Sequence, residues 1–207
     1  MANGTMGKLL NVDLTRGTCT AEALDPALCR DYIGGYGLGA RLLYDRIPAG
    51  ADPLGPQNVL GFLTGPLTGT PAIIGSRFTV VGKSPKTAGG WGDANCGGHF
   101  GPHLKFAGFD GLLFGGISAK PVYLFVDEGR AELRDAADLW GLGVSELEDR
   151  LVARHGKGVQ VCSIGPAGER LALTACIMND KERAAGRGGL GAVMGSKRLK
   201  AVAVKGS

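Results

Sequence analysis

Residues 163–204 read SIGPAGERLALTACIMNDKERAAGRGGLGAVMGSKRLKAVAV. Within them a Gly-Pro turn is followed by a small apolar run, a glycine-rich loop, a short basic helix-like piece and an alternating apolar strand. The same succession occurs earlier in the chain, as TGPLTG (64–69), SRFTVVGKSP (76–85) and NCGGHFGPHLKFAGFDGLLF (95–114). The match predicts a faint internal duplication, about 58–118 and 158–205, inside one domain spanning residues 1–207. Two similar glycine-lined loops would follow. Chance is the rival explanation, because 37 of the 207 residues are glycine, well above the usual ~7%.

Outward from these stretches the pattern is mostly strand. GKLLNVDLTRGTCTAEAL (7–24) alternates around a turn-like TRG and predicts a hairpin. Asp25 and Pro26 then supply an N-cap and a first helical residue, and GLGARLLYDRI (37–47) predicts a second helix. IGGYG (33–37) between them reads as a helix-to-helix turn, since no strand precedes it as a dinucleotide fingerprint requires. GVSELEDRLVARHG (143–156) has Val144, Leu147 and Leu151 at helical spacing, Ser145 near its start and Gly156 at its end. LALTACIM (171–178) and the other short apolar runs read as strands. The fold class expected is α+β: a β-rich saddle of two related antiparallel or mixed sheets with a few short helices.

Net charge is +4, and it is localised. Residues 180–207 hold seven Lys or Arg against two acids, a balance of +5, whereas the remainder sums to −1. This points to a localised anionic partner. Nucleic acid is not expected, because no helix carries a dense basic face and aromatics are only 6%. Five scattered cysteines without a C-x-x-C pair read as reduced thiols. The start, MANGTMGKLLNVDL, has no apolar signal region and no run is long enough to span a bilayer, which predicts a cytoplasmic chain.

The glycines and arginines of 179–197 suit an anion held by backbone N–H groups and guanidinium forks. A glycine-rich turn beside a solvated basic face is the alternative. Arg77 reads as a strand arginine facing solvent. Asn95 caps a helix or offers its carbonyl oxygen to a hard cation. His99 and His103 share an i, i+4 spacing, but no further ligand completes a zinc motif and Pro102 interrupts the pair. Cys96 either has a lowered pKa near the anion loop or is a buried packing residue. No catalytic residue is assigned.

GPLTGTPAIIGSRFTVVGKSP, ANCGGHFGPHLKFAGFDGLLF, KPVYLF, LRDAADLWG, SIGPAGE and IMNDKERAAGRGGLGAVMGSKRLKAVAVKG together resemble the N-terminal domain of the aldehyde:ferredoxin oxidoreductases, the tungsten-pterin enzymes. The likeness runs from about Gly7 to Ser207, and its RAAGRGG-GAVMGSK segment is the most specific part. The resemblance implies a tungsten, or molybdenum, bis-pyranopterin cofactor with Mg²⁺ linking the two pterin phosphates. Arg77 matches the family arginine between a pterin and the iron–sulfur cluster. Asn95 matches the asparagine whose oxygen helps hold the magnesium, with Gly97 at the pterin. Arg183 and Ala184 match the second contacting pair, the alanine giving a carbonyl to the same cation, and Ala185, Gly186 and Arg187 continue that loop. Lys105 and Lys197 are supporting charges in the same reading.

The resemblance also has gaps. The C-x-x-C-x-x-x-C run and distant cysteine of a [4Fe–4S] cluster, further D-x-x-G motifs and the acid and histidine near the metal are all lacking. Pro102 stands where the helix after Asn95 belongs. The expectation is a cofactor-cradling domain or subunit of an enzyme that oxidises aldehydes to carboxylic acids with ferredoxin as acceptor. Alone it is expected to be inactive and to need the remaining domains, a partner subunit or a homo-oligomer to cover its face. The rival readings are a non-catalytic pterin carrier or scaffold, an inactive fragment and a nucleotide-binding module.

Overall fold

The computed structural model describes residues 4–207. The alternating 7–24 segment forms strands β1 (Lys8–Asp13) and β2 (Thr18–Ala23). Helix α1 (Pro26–Tyr32) follows, the Asp25 side chain accepting from Ala27 N, and then α2 (Gly35–Arg46). Strands β3 (Leu60–Thr64), β4 (Phe78–Lys83) and β5 (Trp91–Cys96), helix α3 (Phe100–Phe106) and strand β6 (Gly111–Gly115) complete a first sheet. The second begins with β7 (Val122–Asp127) and β8 (Arg130–Asp135) and passes through α4 (Val144–His155), β9 (Gln160–Ser163) and a single helical turn, α5 (Pro166–Glu169). It ends with β10 (Ile177–Asn179), β11 (Arg183–Ala185), α6 (Leu190–Ser196) and β12 (Leu199–Lys205).

The strand orders are β2-β1-β6-β3-β4-β5 and β8-β7-β12-β9-β10-β11. Adding six to each strand number of the first sheet reproduces the second. In each sheet one central pair is parallel, β1 with β6 and β7 with β12, and the other pairs are antiparallel. The topological correspondence thus takes in the β1–β2 and β7–β8 hairpins and reaches beyond the 58–118 and 158–205 stretches.

Side-chain alternation decides the layers. Leu10, Val12, Phe62, Val80, Leu112 and Phe114 of one sheet meet Val122, Leu124, Val126, Cys162, Val202 and Val204 of the other in one buried cluster. Helices α3 and α6 add Phe100, Leu104, Leu190, Val193 and Met194 to it. The alternate residues face outward: Leu9, Leu63, Val81 and Leu113 against α2, and Tyr123, Phe125, Val161 and Ala203 against Leu147 and Leu151 of α4. Phe78 and Phe100 pack with ring centroids 5.1 Å apart, and Phe62 and Phe114 at 5.7 Å. Each such burial stabilises the fold by roughly 1.5–3 kcal/mol.

Helix α4 has Ser145 near its start and Gly156 at its end as expected, with Gly143 at the N-cap. Some local expectations are corrected. Of LALTACIM only the end is strand, because residues 171–176 turn to bring β10 alongside β9. Pro102 lies in the first turn of α3, where its missing N–H has no intrahelical acceptor to lose. Lys105 and Lys197 are buried, at 4% and 0% exposure, and are not site charges. Lys105 pairs with Asp110 (Nζ–Oδ1 3.1 Å), whose carboxylate also receives the backbone N–H of Met6 and Gly7 at the entry to β1. Lys197 donates to Asn58 O (2.5 Å) and Gly116 O (3.1 Å), pinning the approach to β3 against the exit of β6.

Burial lowers the Lys197 pKa from 10.5 to about 8. Between those values the unfolded chain keeps a proton that the folded chain has released, so stability rises with pH across that window, by roughly 3 kcal/mol in total. Denaturant unfolding of the wild type and Lys197→Met between about pH 7.5 and 10.5 should give a stability difference, wild type minus variant, that climbs with pH. A flat difference would show that the ammonium is not desolvated by folding.

Candidate functional site

The edge strand of each sheet, β5 and β11, lies beside the other. Residues distant in sequence converge where they meet. Asn95 is held on β5, its Oδ1 receiving Arg77 Nε and its Nδ2 donating to Thr79 Oγ1 at 3.2 Å. A methyl group placed on Gly97 would stand 3.6 Å from Arg77 Nη1, 3.7 Å from Arg183 Nη1 and 3.7 Å from Ser76 Oγ. The missing side chain therefore leaves a notch floored by backbone and walled by two guanidiniums, one from each sheet. Arg77, Asn95, Arg183 and Ala184 around it are all exposed, while Gly97 at its floor is buried. Two positive forks around one small space suit an oxyanion.

The notch continues into a cleft of about 340 Å³ lined by Ile33, Gly34, Ile74, Arg77, Thr79 and Asn95 among others. Ile33 (φ 65°) and Ile74 (φ 66°) hold left-handed backbone conformations. For β-branched residues these are strained, and such strain collects at binding sites.

The other expected residues divide. Ala185 turns into the core at 1% exposure, opposite Ile177 in the β10–β11 ladder. Gly186 and Arg187 are exposed on the following loop. The glycines after them serve packing more than ligand approach: a Cβ on Gly191 would lie 2.5 Å from Ala175 O, and one on Gly189 2.8 Å from Leu173 O. Cys96 is buried, and burial pushes its thiol pKa up by more than the Asn179 hydrogen bond and the nearby Arg77 and Arg183 charges bring it down. The reading of Cys96 as a packing residue therefore holds. His99 and His103 do not share a ligand. His99 contacts Asp180 and His103 Nδ1 is buried without a partner, and no cluster of three metal-binding side chains occurs among the described residues.

Sequence reasoning missed Asn179 and Asp180. Asn179, 1% exposed, donates through Nδ2 to Cys96 Sγ (3.0 Å) and Gly97 O (3.2 Å). Asp180 Oδ2 receives His99 N (3.1 Å), lies 2.9 Å from His99 Nδ1 and stands 3.6 Å from Arg183 Nε. Their only sequence signal was position, immediately ahead of the basic glycine-rich segment.

A family model described as "Aldehyde ferredoxin oxidoreductase, N-terminal domain" matches residues 9–206. The chain belongs to this family. Tungsten-containing aldehyde ferredoxin oxidoreductases of Thermococcus kodakarensis and Pyrococcus furiosus are 49% and 48% identical over 205 residues, 99% of this chain and 34% of theirs. An aliphatic sulfonate oxidoreductase, WOR-like subunit, of Pyrococcus furiosus is 41% identical across 97% of this chain and 34% of its own length. The solved active site complex BamBC of benzoyl coenzyme A reductase with 1,5-dienoyl-CoA superposes with a TM-score of 0.97 at 40% identity, covering 100% of this chain and 32% of that one. The chain thus spans about one third of the length of these relatives. No helix among the described residues of this aldehyde ferredoxin oxidoreductase N-terminal domain is long and apolar enough to cross a membrane.

Gly97 and Gly98 differ in what they tolerate. Gly98 has φ +120°, and a Cβ there would meet the side-chain oxygens of Asn179 and Asp180, the latter at 2.6 Å. Gly98→Ala should lose about 1–3 kcal/mol of stability from backbone conformation alone, before the steric contact is counted. Thermal or denaturant unfolding measures it, and an unchanged midpoint would contradict this geometry.

Proposed function

We propose that this chain is the cofactor-cradling part of a tungsten- or molybdenum-pterin oxidoreductase. The notch at Gly97 between Arg77 and Arg183 is the observation that carries the reading. It offers two guanidiniums, a serine hydroxyl and close backbone approach to a phosphate, and the adjoining cleft offers apolar walls to a planar ring. Arg77 and Arg183 bind and orient the phosphate end, while Gly97 lets it reach the backbone. Ala184, and on the following loop Gly186 and Arg187, line the second side, whereas the Ala185 side chain belongs to the core. The metal-pterin group supplies the redox chemistry, and the chain's residues supply binding and fixed charge.

A divalent cation fits these residues only in company with an anion. Asn95 Oδ1, the acceptor expected to help hold Mg²⁺ together with the Ala184 carbonyl, is engaged by the Arg77 guanidinium. Neither Asn95 nor Ala184 brings negative charge, so bound phosphates must neutralise both the cation and the arginines.

The relatives named for aldehyde, sulfonate and benzoyl-CoA chemistry share this third of their length with the chain. A common cradle accounts for that sharing better than a common substrate. We favour aldehyde oxidation to a carboxylic acid with ferredoxin as acceptor, because the most similar of these relatives carry that name. The [4Fe–4S] ligands and the residues near the metal belong to domains or a partner subunit outside these 207 residues. A carrier without catalysis would use the same notch, and co-purification of the chain with pterin but without iron would favour it.

Gly97→Ala tests the reading directly. The new methyl makes ordinary van der Waals contacts, at 3.6–3.7 Å, and Gly97 is not in a left-handed conformation, so the melting temperature should stay within a few degrees of wild type. Filling the notch should weaken binding of inorganic pyrophosphate, measured by calorimetry at low salt, by about tenfold or more. Equal affinity in the two proteins would remove the notch as the binding place.

A further inference from the structure

We infer that Asn179 and Asp180 are the positioning residues of the Gly97 notch, fixing the distance between the two guanidiniums that face it. The inference rests on the reading of the notch as an anion site. The notch has one wall on each sheet, and apolar packing between sheets sets their spacing only loosely because it has no direction. Ser84 Oγ donates to Gly188 O (2.7 Å) farther along this edge, and the directional contacts at the notch itself come from the β10–β11 turn. Asn179 is the cross-strand partner of Arg183. Its Nδ2 holds Cys96 Sγ and Gly97 O, which fixes the notch floor relative to the strand that carries Arg183. Its Oδ1 is buried, has no hydrogen-bond donor and stands against Gly98 Cα. A buried acceptor left in that state is unfavourable, as expected when a residue is placed for geometry rather than for its own satisfaction.

Asp180 completes the latch. Its Oδ2 takes the His99 backbone N–H and the His99 ring from one sheet's loop, and it lies beside Nε of Arg183 from the other. A carboxylate on the Nε side leaves Nη1 of Arg183 directed at the notch. Asp180 (φ 48°) and Lys181 (φ 59°) both hold left-handed conformations, and Lys181 is tied to α4 through its N–H to Glu148 Oε2 (3.0 Å) and its Nζ to Asp149 Oδ1 (2.5 Å). The turn is thereby fastened on the side away from the notch as well, so it cannot drift with Arg183.

A carboxylate beside an anion site would ordinarily be a hindrance, since its charge repels the ligand. That sets two roles apart by sign. Asp180→Asn removes the charge and keeps an acceptor for His99 N in place. Asp180→Glu keeps the charge and moves the acceptor by one methylene. If Asp180 positions, Asp180→Asn should bind pyrophosphate within about threefold of wild type or tighter, and Asp180→Glu about tenfold more weakly. If its charge alone matters, Asp180→Glu binds like wild type. The measurement is calorimetric titration of the 207-residue chain with inorganic pyrophosphate, with thermal melts of all three proteins to show that they are folded. An unchanged affinity in Asp180→Glu, or an equal loss in both variants, overturns the positioning role while leaving the notch as the site. No binding by the folded wild type overturns the anion reading itself, and the latch with it.

Discussion

The amide of Asn179 is the contact on which the site depends. Two sheets that pack face to face are held by apolar side chains that allow small sliding, and β5 and β11 belong to different hydrogen-bonded ladders. A side-chain amide that leaves one ladder and donates to Gly97 O of the other converts loose packing into a fixed separation. It also dictates Gly98: with Asn179 Oδ1 and Asp180 Oδ2 against its Cα and φ at +120°, no other residue fits without strain. The neighbouring Gly97 is also buried but has no such restriction, since a Cβ there would make only ordinary contacts at 3.6–3.7 Å. The two glycines thus differ: Gly98 serves close approach to protein, and Gly97 leaves room for a methyl-sized group beside the two arginines.

Buried ammonium groups explain why the charge distribution misleads. The +5 balance of residues 180–207 includes Lys197 and Lys200, both fully buried. Lys200 Nζ donates to Ile164 O (2.7 Å) and Leu142 O (3.0 Å) and pairs with Glu169, whose carboxylate also receives Gly141 N. Lys105 and Asp110 form the comparable pair at the other sheet. Such groups satisfy carbonyls that strands and turns leave unpaired in the interior, where an orphaned carbonyl is costly. The positive charge open to solvent is therefore smaller than the sequence count: Lys181, Arg183, Arg187 and Arg198 of that segment are exposed, and Arg77 joins Arg183 from the other sheet.

Period-two alternation and turn chemistry made much of the fold readable: the 7–24 hairpin, the Asp25 cap and α4 follow from residue type and spacing alone. What failed did so through tertiary override. LALTACIM has strand composition, but its first residues form the bend that carries β10 to β9. Lysines look solvent-exposed by type, and only the packed structure supplies the carbonyls that let three of them be buried. At the site, Arg77, Asn95, Gly97 and Arg183 were named from a family likeness, and the fold brings them to one edge. Asn179 and Asp180 were invisible because a polar pair at a hairpin turn is ordinary in sequence, and their function lies in partners about 80 residues away.

The arrangement contains a conflict that a bound anion would resolve. Two guanidiniums directed at one notch repel each other, and the fold eases this with Asp180 beside one and Asn95 Oδ1 on the other without cancelling it. Two isoleucines on the adjoining cleft are held in left-handed backbone. Natural sequences are locally consistent across most of their length, and departures from that consistency gather where a site is built. Here like charge, strained backbone and an unpaired buried acceptor occur together near the edge where β5 and β11 meet. An oxyanion in the notch would turn the repulsion into attraction by accepting from both forks at once. The remaining departures would then be the conformational cost of holding those forks apart at the right distance before the ligand arrives.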